Sequence, residues 1–467
     1  MPKLLPYSSI NIKWCTIVCY TVLLCSNVIA QKPLQFLNTT TVPQANGLVI
    51  YKDKTSIKRS VRSLGKDNIY ESRDKHIGYS VRLENTLKEE QSGSIVTQIA
   101  YQTGVALYKD IHPFKIKKRG VYEKDFLFES SQLQPGYYVS NISVITDRYA
   151  DTVVYNFGYE PEKIYIKNNP PADLVNYWDQ ARRELAASPA NFSITPRPDL
   201  GNKFSDAYEV QFSSTEKAVI FGWLTIPKNN RKNPILYNIS DYMSELKPEY
   251  RRDVAVLSIN TRGTGPSTTN FNYGYYDLGL LNIKDKNKFV FKGIYLDALR
   301  GIELINTFAS KLGIDNSKVV VGGCGLGASI SVIISAFYPN LKGIILDSPA
   351  FIDMRTMINF NEGVANTTFP SLMFKNYYST KKNTKDALLN TLDYFDPVHF
   401  SPYVSCPIIV GWGSKNISSP AIGVYNFFNQ LRVSKKDKYV CKNCEGTMDK
   451  GFYGFKETWL REKFGQP

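Results

Sequence analysis

K-V-V-V-G-G-C-G-L-G-A-S-I, Lys318 to Ile330, is the stretch from which the rest of this chain is read. Val319 to Gly322 suit a short buried strand, a cluster of small residues follows, and the apolar run Ile330 to Phe337 suits a helix. Strand, tight turn and helix in that order build a nucleophile elbow. In that strained turn a serine sits at the apex of G-x-S-x-G and a helix dipole is aimed at it. Gly323 and Gly327 fill the two flanking glycine positions, and the apex is Gly325, which has no atom to attack with. Three readings follow from the pattern: an elbow that has lost its reagent, an elbow in which Cys324 serves as a thiol nucleophile one residue early, or a dinucleotide fingerprint. The last reads Gly323, Gly325 and Ala328 as G-x-G-x-x-A, with Asp347 after the next apolar run as the ribose-binding acid.

At 467 residues the chain is long enough for two domains and a large core. It is 43% hydrophobic and 21% charged, as globular chains are, with 31 tyrosines that suit half-buried strands. A net charge of +15 comes partly from a basic run between Lys52 and Lys75. Such a charge attracts acidic polysaccharide, anionic membrane or nucleic acid, but no nucleic-acid module accompanies it, so a solvated basic face is expected and nucleic acid is not.

Lys3 and Lys13 precede the apolar run Trp14 to Leu24, and Val28 to Ala30 form a small-residue exit before Gln31. That is the layout of a cleavable export signal over residues 1–30, too short for a membrane span, and no later segment reaches transmembrane length. The expected location is therefore periplasmic, cell-surface or secreted. Four cysteines remain after cleavage: Cys324, Cys406, Cys441 and Cys444. Cys441 and Cys444 make C-K-N-C. With no second pair to complete a four-thiolate zinc site, a local disulfide is expected in an oxidising compartment, and neither metal nor cofactor is.

Residues 31–75 are polar, basic and poor in pattern, and read as an irregular segment. From 76 to 168 short strand candidates separated by turns, Tyr79–Leu83, Ser94–Tyr101, Val121–Phe128, Tyr137–Ile145 and Thr152–Phe157, predict a small immunoglobulin-like sandwich. After Pro170 and Pro171 the texture changes. Leu174, Tyr177, Trp178, Ala181 and Leu185 recur at helical spacing, and buried strand candidates then alternate with helical runs such as Ile294 to Phe308. That alternation requires crossovers and predicts a mostly parallel, helix-covered sheet over 169–467, an α/β fold. The glycine pattern follows at least three buried strands, whereas a dinucleotide fingerprint normally follows the first strand of its unit. An oxidoreductase is therefore a remote alternative.

With those residues in place, the region from about Asp173 onward resembles the acetylxylan esterase and cephalosporin C deacetylase family of α/β-hydrolases. L-V-N-Y-W-D-Q-A-R-R-E-L at Leu174 to Leu185 is similar to the family's opening helix, and N-T-R-G-T-G at Asn260 to Gly265 to its R-G-Q-G loop. Asp315 to Ala328 matches D-P-D-R-I-x-V-x-G-G-S-Q-G-G without a gap, and Cys406 to Gly411 matches C-P-V-L-V-G. The resemblance implies a Ser-Asp-His triad and places its members at Gly325, at Asn416 ahead of Pro420, and near Gly446, where this chain offers Thr447 or Met448. Only three histidines exist, His76, His112 and His399, and none stands at the base position.

A hydroxyl without a base is a poor nucleophile, and a base without its acid is neither oriented nor compensated, so a triad lost at three positions is expected to be inactive. The loop N-I-S-D-Y-M after Tyr237 lacks the glycines that usually close backbone N–H groups on an oxyanion. Cys324, one residue before the apex, is expected to be buried and inert. The expected function is an exported carbohydrate-binding or envelope-assembly protein whose old acyl pocket is lined by Tyr242, Arg262, Leu326 and Trp412, with a glycan or a cell-envelope protein as partner. The alternative is a residual carbohydrate acetyl esterase using Cys324.

Overall fold

The structure, a computed structural model, describes residues 55–465 apart from 66–67, 75–76, 102–105, 230, 269–270, 363–367, 381–384, 443 and 447. The export signal, His76 and Thr447 thus lie outside the described residues.

Alternation of apolar and polar residues builds the N-terminal sandwich. Its strands are β1 (Ile57–Ser63), β2 (Ile69–Tyr70), β3 (Ile77–Asn85), β4 (Gln91–Tyr101), β5 (Ala106–Ile116), β6 (Val121–Phe128), β7 (Gly136–Thr146) and β8 (Ala150–Tyr159). They form a three-stranded sheet in the order β1-β3-β6 and a five-stranded sheet in the order β2-β8-β7-β4-β5. Inward residues of both, among them Tyr79, Val81, Ile95, Ile142 and Phe157, make one core.

Two features depart from the sequence reading. The segment expected to be irregular up to residue 75 already contains β1, paired antiparallel with β3 from Ile57↔Asn85 to Ser63↔Tyr79. Ile57 is buried while Lys58 and Arg62 face out, so a dense run of positive charge hides a two-residue alternation. β5 was missed because Lys109, Asp110, His112 and Pro113 interrupt its apolar residues. As an edge strand paired only with β4, it tolerates both the charges and the proline.

The second region opens with α1 (Leu174–Ala187), whose buried stripe Leu174, Tyr177, Trp178, Ala181 and Leu185 is the helical spacing already noted. There follow β9 (Ser193–Pro196), β10 (Ser205–Ser213), β11 (Val219–Pro227), β12 (Asn233–Ile239), β13 (Ala255–Asn260), α2 (Tyr275–Leu280), α3 (Val290–Phe308), β14 (Ile314–Cys324), α4 (Leu326–Phe337) and β15 (Gly343–Asp347). The chain continues through α5 (Met354–Glu362), α6 (Ser371–Ser379), α7 (Lys385–Leu392), β16 (Ile408–Gly413), α8 (Ala421–Gln430), β17 (Lys436–Cys441) and α9 (Lys450–Phe464).

The nine strands lie in the order β17-β16-β15-β14-β12-β13-β11-β10-β9. Pairings from β13 through β17 are parallel, and β9, β10 and β11 pair antiparallel at one end. β12, β13 and β14 are apolar on both faces, as strands covered by helices on both sides must be. The strand order reverses beside β12 and β14, and the crevice at their C-terminal ends is where this kind of sheet offers a site. Among the described residues no helix is long and apolar enough to cross a membrane.

The two regions meet through named contacts. The Tyr137 ring lies 5.6 Å from that of Tyr425 on α8, and Asn426 bonds the backbone of Ile166 through both its amide oxygen and its amide nitrogen. Asn168 and Asn426 both donate to the buried carboxylate of Asp353. Asp353 lies beside a second buried carboxylate, Asp396, which accepts from the backbone N–H groups of Asp353, Met354 and Val398. Burial, reinforced by Asp353, pushes the Asp396 carboxyl up to about 7 against the pull of His399.

Candidate active site

β14 runs into α4 through Gly325, which holds φ 54° and ψ −116°. This is the left-handed region in which a side chain is strained. The turn is pinned by Gly325 N–H donating to the Asp347 carbonyl at 3.0 Å and by Ala350 N–H donating to the Gly325 carbonyl at 3.1 Å. Gly327 lies so close to β12 that a Cβ there would meet the Ile239 carbonyl oxygen at 2.2 Å, so α4 can pack on the sheet only with glycine at that position. The elbow is thus present in backbone form.

Its apex is occupied by a neighbour. The Asp241 carboxylate, in the loop after β12, accepts from the backbone N–H of Tyr242 at 2.7 Å and, through the same oxygen, from the backbone N–H of Leu326 at 2.7 Å. One donor follows the apex and the other belongs to the loop after the strand next to it. Those are the two positions from which an oxyanion is bound in an elbow of this construction. A Cβ built on Gly325 would lie 2.1 to 2.5 Å from the atoms of that carboxylate. Asp241 therefore fills both the nucleophile's volume and the place of the oxyanion. Burial pushes its carboxyl above the usual range while the two N–H bonds pull it back.

The expectation that N-I-S-D-Y-M could not close on an anion is corrected: Met243 takes a positive φ of 50° without being glycine, and the loop turns its N–H inward. Sequence reasoning missed Asp241. Its signal was an acid standing one residue before Tyr242, where glycines are the norm.

Around this point the acyl pocket is packed with rings. Tyr242 is 5% exposed, its ring lies 4.7 Å from that of Phe369 and 5.2 Å from that of Tyr275, and its hydroxyl donates to the Tyr275 carbonyl at 2.6 Å. Phe351 closes the far side against Phe369. Tyr275 and Tyr276 remain exposed above, with the Tyr276 ring nearly parallel to Phe369 at 6.4 Å. Leu326 contributes its N–H, and its side chain is buried.

Two residues expected in the pocket belong elsewhere. Arg262 is fully buried and makes a two-pronged pair with Asp297 on α3, Nε at 2.9 Å and Nη2 at 2.8 Å, and also reaches Thr215 and Glu216. Its donors are spent on Asp297 of α3 and on Thr215 and Glu216, which tie the loop into the fold instead of offering it to a ligand. Trp412 is fully buried on β16 against Tyr425 and Phe428, on the side of α8.

At the acid position Asn416 is buried, and its side-chain oxygen accepts from the N–H groups of Ser418 and Ser419, a local turn in place of a partner for an imidazole. His399 lies beyond α7, its ring 3.8 Å from Asp393, and His112 is bonded to Tyr122 in the sandwich, so neither histidine meets the elbow. Cys441 and Cys444 are joined as a disulfide, so this pair, which with Asp449 is a group of ligand-type side chains among the described residues, holds no free thiol for a metal.

Cys324 is exposed, contrary to the buried position expected for it. It is the last residue of β14, directly beside Asp347 of β15, and its side chain faces a pocket on the sheet face opposite α4. The walls of that pocket, with Asp347 and Asp241 close by, push the thiol up to about 12, so the uncharged form prevails at neutral pH. The dinucleotide reading meets the same obstacle as an oxyanion: the N-terminus of α4 already carries a carboxylate.

Comparison with known proteins agrees with this architecture. The model of the acetyl xylan esterase family matches residues 160–457. An acetyl esterase of Xylanibacter ruminicola is 23% identical over 322 residues, spanning 65% of this chain and 69% of that protein. The crystal structure of acetyl xylan esterase 1 from a Thermoanaerobacterium species and that of an acetyl xylan esterase from a Paenibacillus species each superpose with a TM-score of 0.57 at 18% identity. Each covers 65% of this chain and 98% of its own, which establishes a shared fold. A sheet with the elbow strand near its middle, an elbow with both flanking glycines and a family match over residues 160–457 identify this chain as a member of the acetyl xylan esterase family.

Proposed function

We propose that this chain is an exported member of the family that binds carbohydrate, or a carbohydrate-bearing envelope partner, without hydrolysing it. The observation that carries the reading is Asp241, whose carboxylate sits over Gly325 on the two N–H groups an acyl intermediate would need. Acyl transfer requires a nucleophile, a base and a vacant oxyanion site, and each of the three positions holds something else. Above the closed apex, the exposed rings of Tyr275 and Tyr276 together with Phe369 offer flat apolar faces with hydroxyls at their edges. Faces of that kind suit the C–H side of a pyranose.

A second reading, residual esterase activity through Cys324, is favoured by one observation, the solvent exposure of that thiol. Its charge state and its position on the opposite sheet face count against it. Hydrolysis of a chromogenic acetate ester by the purified protein decides between them: no turnover above the buffer rate is expected. Turnover abolished by Cys324→Ala would overturn the binding reading. Retention of acetylated xylan oligomers on immobilised protein at physiological salt, lost in Tyr276→Ala, tests the glycan itself.

A further inference from the structure

A parallel crossover is normally covered by a helix, yet residues 240–254, between β12 and β13, contain none. The sheet face they would have covered is left open between that loop and α9. There lies a pocket of about 250 Å³. Leu236, Leu246, Ile345 and Leu460 form an apolar wall, Asn238, Ser244, Glu249, Arg251 and Lys456 line the rest, and Cys324 with the carboxylates of Asp241 and Asp347 stand at its C-terminal end.

The charge in this pocket is unbalanced. Arg251 is occupied, Nε on Glu249 at 2.7 Å and both terminal nitrogens on Glu457 at 2.8 and 2.9 Å. Glu249 also accepts from Asn238 at 2.8 Å. Among the described residues no Lys or Arg stands within ion-pair distance of Asp241 or Asp347, and Lys456 at the rim lies over the Tyr453 ring at 5.0 Å. Asp347 is 9% exposed and has one hydrogen-bond donor, the Ser348 hydroxyl in its own turn. Two carboxylates are thus held in a largely dehydrated pocket with no ion-paired cation. Burial raises both above the usual carboxylate range, and at Asp347 the charge of Asp241 adds to the rise while Lys456 at the rim opposes it.

We infer that this pocket binds a small organic cation, a primary ammonium on an apolar body, with the ammonium between Asp241 and Asp347 and the body along Leu236, Leu246 and Leu460. An ammonium carries three donors and a full charge, which is what the two carboxylates lack, and an alkyl chain of a few carbons fits the volume and its walls. A bare divalent ion fits less well. Among the described residues the ligand-type side chains that gather within 4.8 Å are Cys441, Cys444 and Asp449, and those of this pocket do not. The pocket opens on the sheet face opposite α4 and shares only the Asp241 carboxylate with the elbow, so it does not rest on the glycan reading.

Cys324 makes the pocket observable. Alkylation of the full-length chain by N-ethylmaleimide, read peptide by peptide by mass spectrometry, gives the labelling rate of this thiol with and without a probe. Hexylammonium chloride at a few times its dissociation constant is expected to slow Cys324 labelling several-fold, with hexanol giving no protection. Asp347→Asn removes the effect, and Lys456→Gln strengthens it by taking a competing charge from the rim. The second variant keeps the test alive if the first does not fold. Equal protection by hexanol, protection by calcium chloride in place of the amine, or no protection by any probe would each overturn the proposal.

Discussion

Restoring the serine should not restore the enzyme, and the reason can be worked out from the geometry. Gly325→Ser places a Cβ 2.1 to 2.5 Å from the Asp241 carboxylate, well inside contact, in a backbone conformation of φ 54°. The strained backbone costs ~1–3 kcal/mol for a non-glycine residue. Forcing Asp241 away breaks bonds from Tyr242 and Leu326, each worth ~1.5–3 kcal/mol because the acceptor is charged, though water recovers part of this once the carboxylate swings out. A net loss of about 2–5 kcal/mol follows, and for a domain of about 300 residues that lowers Tm by roughly 3–8 °C.

The double variant Gly325→Ser with Asp241→Gly removes the collision and leaves mainly the strain. It should therefore be more stable than the Gly325→Ser single variant, an inversion that independent sites do not give. Differential scanning calorimetry of the four proteins in the cycle measures it. Neither serine variant should hydrolyse an acetate ester above background, since no histidine of the described residues meets the elbow. A Gly325→Ser protein as stable as the parent, or strict additivity in the cycle, would refute the claim that Asp241 stands in the nucleophile's place.

Other expectations follow from the same structure. Arg262→Ala leaves Asp297 buried without its partner and should cost ~3–5 kcal/mol in chemical unfolding, with Arg262→Lys recovering only part because it cannot make the two-pronged contact. Reducing Cys441–Cys444 opens a loop of four residues, so dithiothreitol should lower stability by ~2 kcal/mol on the chain-entropy account, and Cys441→Ser should be insensitive to it. Labelling of Cys324 by iodoacetamide should rise about tenfold per pH unit between pH 7 and 10, the signature of a thiol whose pKa lies above that range; a plateau near pH 8.5 would contradict it.

Asp396, raised to about 7 in the fold, holds its proton in the native state at pH values where the unfolded chain has released it. That stabilisation is complete below about pH 4 and is lost as the pH rises through about 7, so Tm should fall from pH 5 to 8, a decline that Asp396→Asn flattens.

Legibility in the sequence followed the physics of each element. The parallel sheet was readable because strands buried on both faces are unbroken runs such as Val319 to Val321 and Gly343 to Leu346, and because Gly323 and Gly327 mark places where a Cβ would strike β12 or α4. The sandwich was readable except at its edges. β1 and β5 satisfy only one neighbour each, so their outward residues are free to be Lys, Arg or Asp, and the pattern fades where the constraint does. Arg262 was misassigned for a different reason: a loop arginine looks the same in one dimension whether it faces a ligand or a helix, and only the approach of Asp297 decides. Trp412 failed likewise, since its ring packs against Tyr425 and Phe428 of α8 and takes no part in a pocket wall.

Asp241 left only a single mark in the sequence, an acid beside Tyr242 in the loop after β12, and its role became clear only from its contacts at the elbow. The N-terminus of α4 and the turn after β12 present two N–H groups that have no other partner in the fold. In a working hydrolase they stay open for an anion that exists only briefly, and the fold carries them unsatisfied or wetted between turnovers. With glycine at the apex, a carboxylate from the neighbouring loop satisfies both donors at once and places its charge at the positive end of the helix. On the proposed non-hydrolytic reading, that contact stabilises the folded state where an acyl intermediate would otherwise bind. It also predicts the order of repair: histidine and serine can be returned to their positions without effect for as long as position 241 holds an acid.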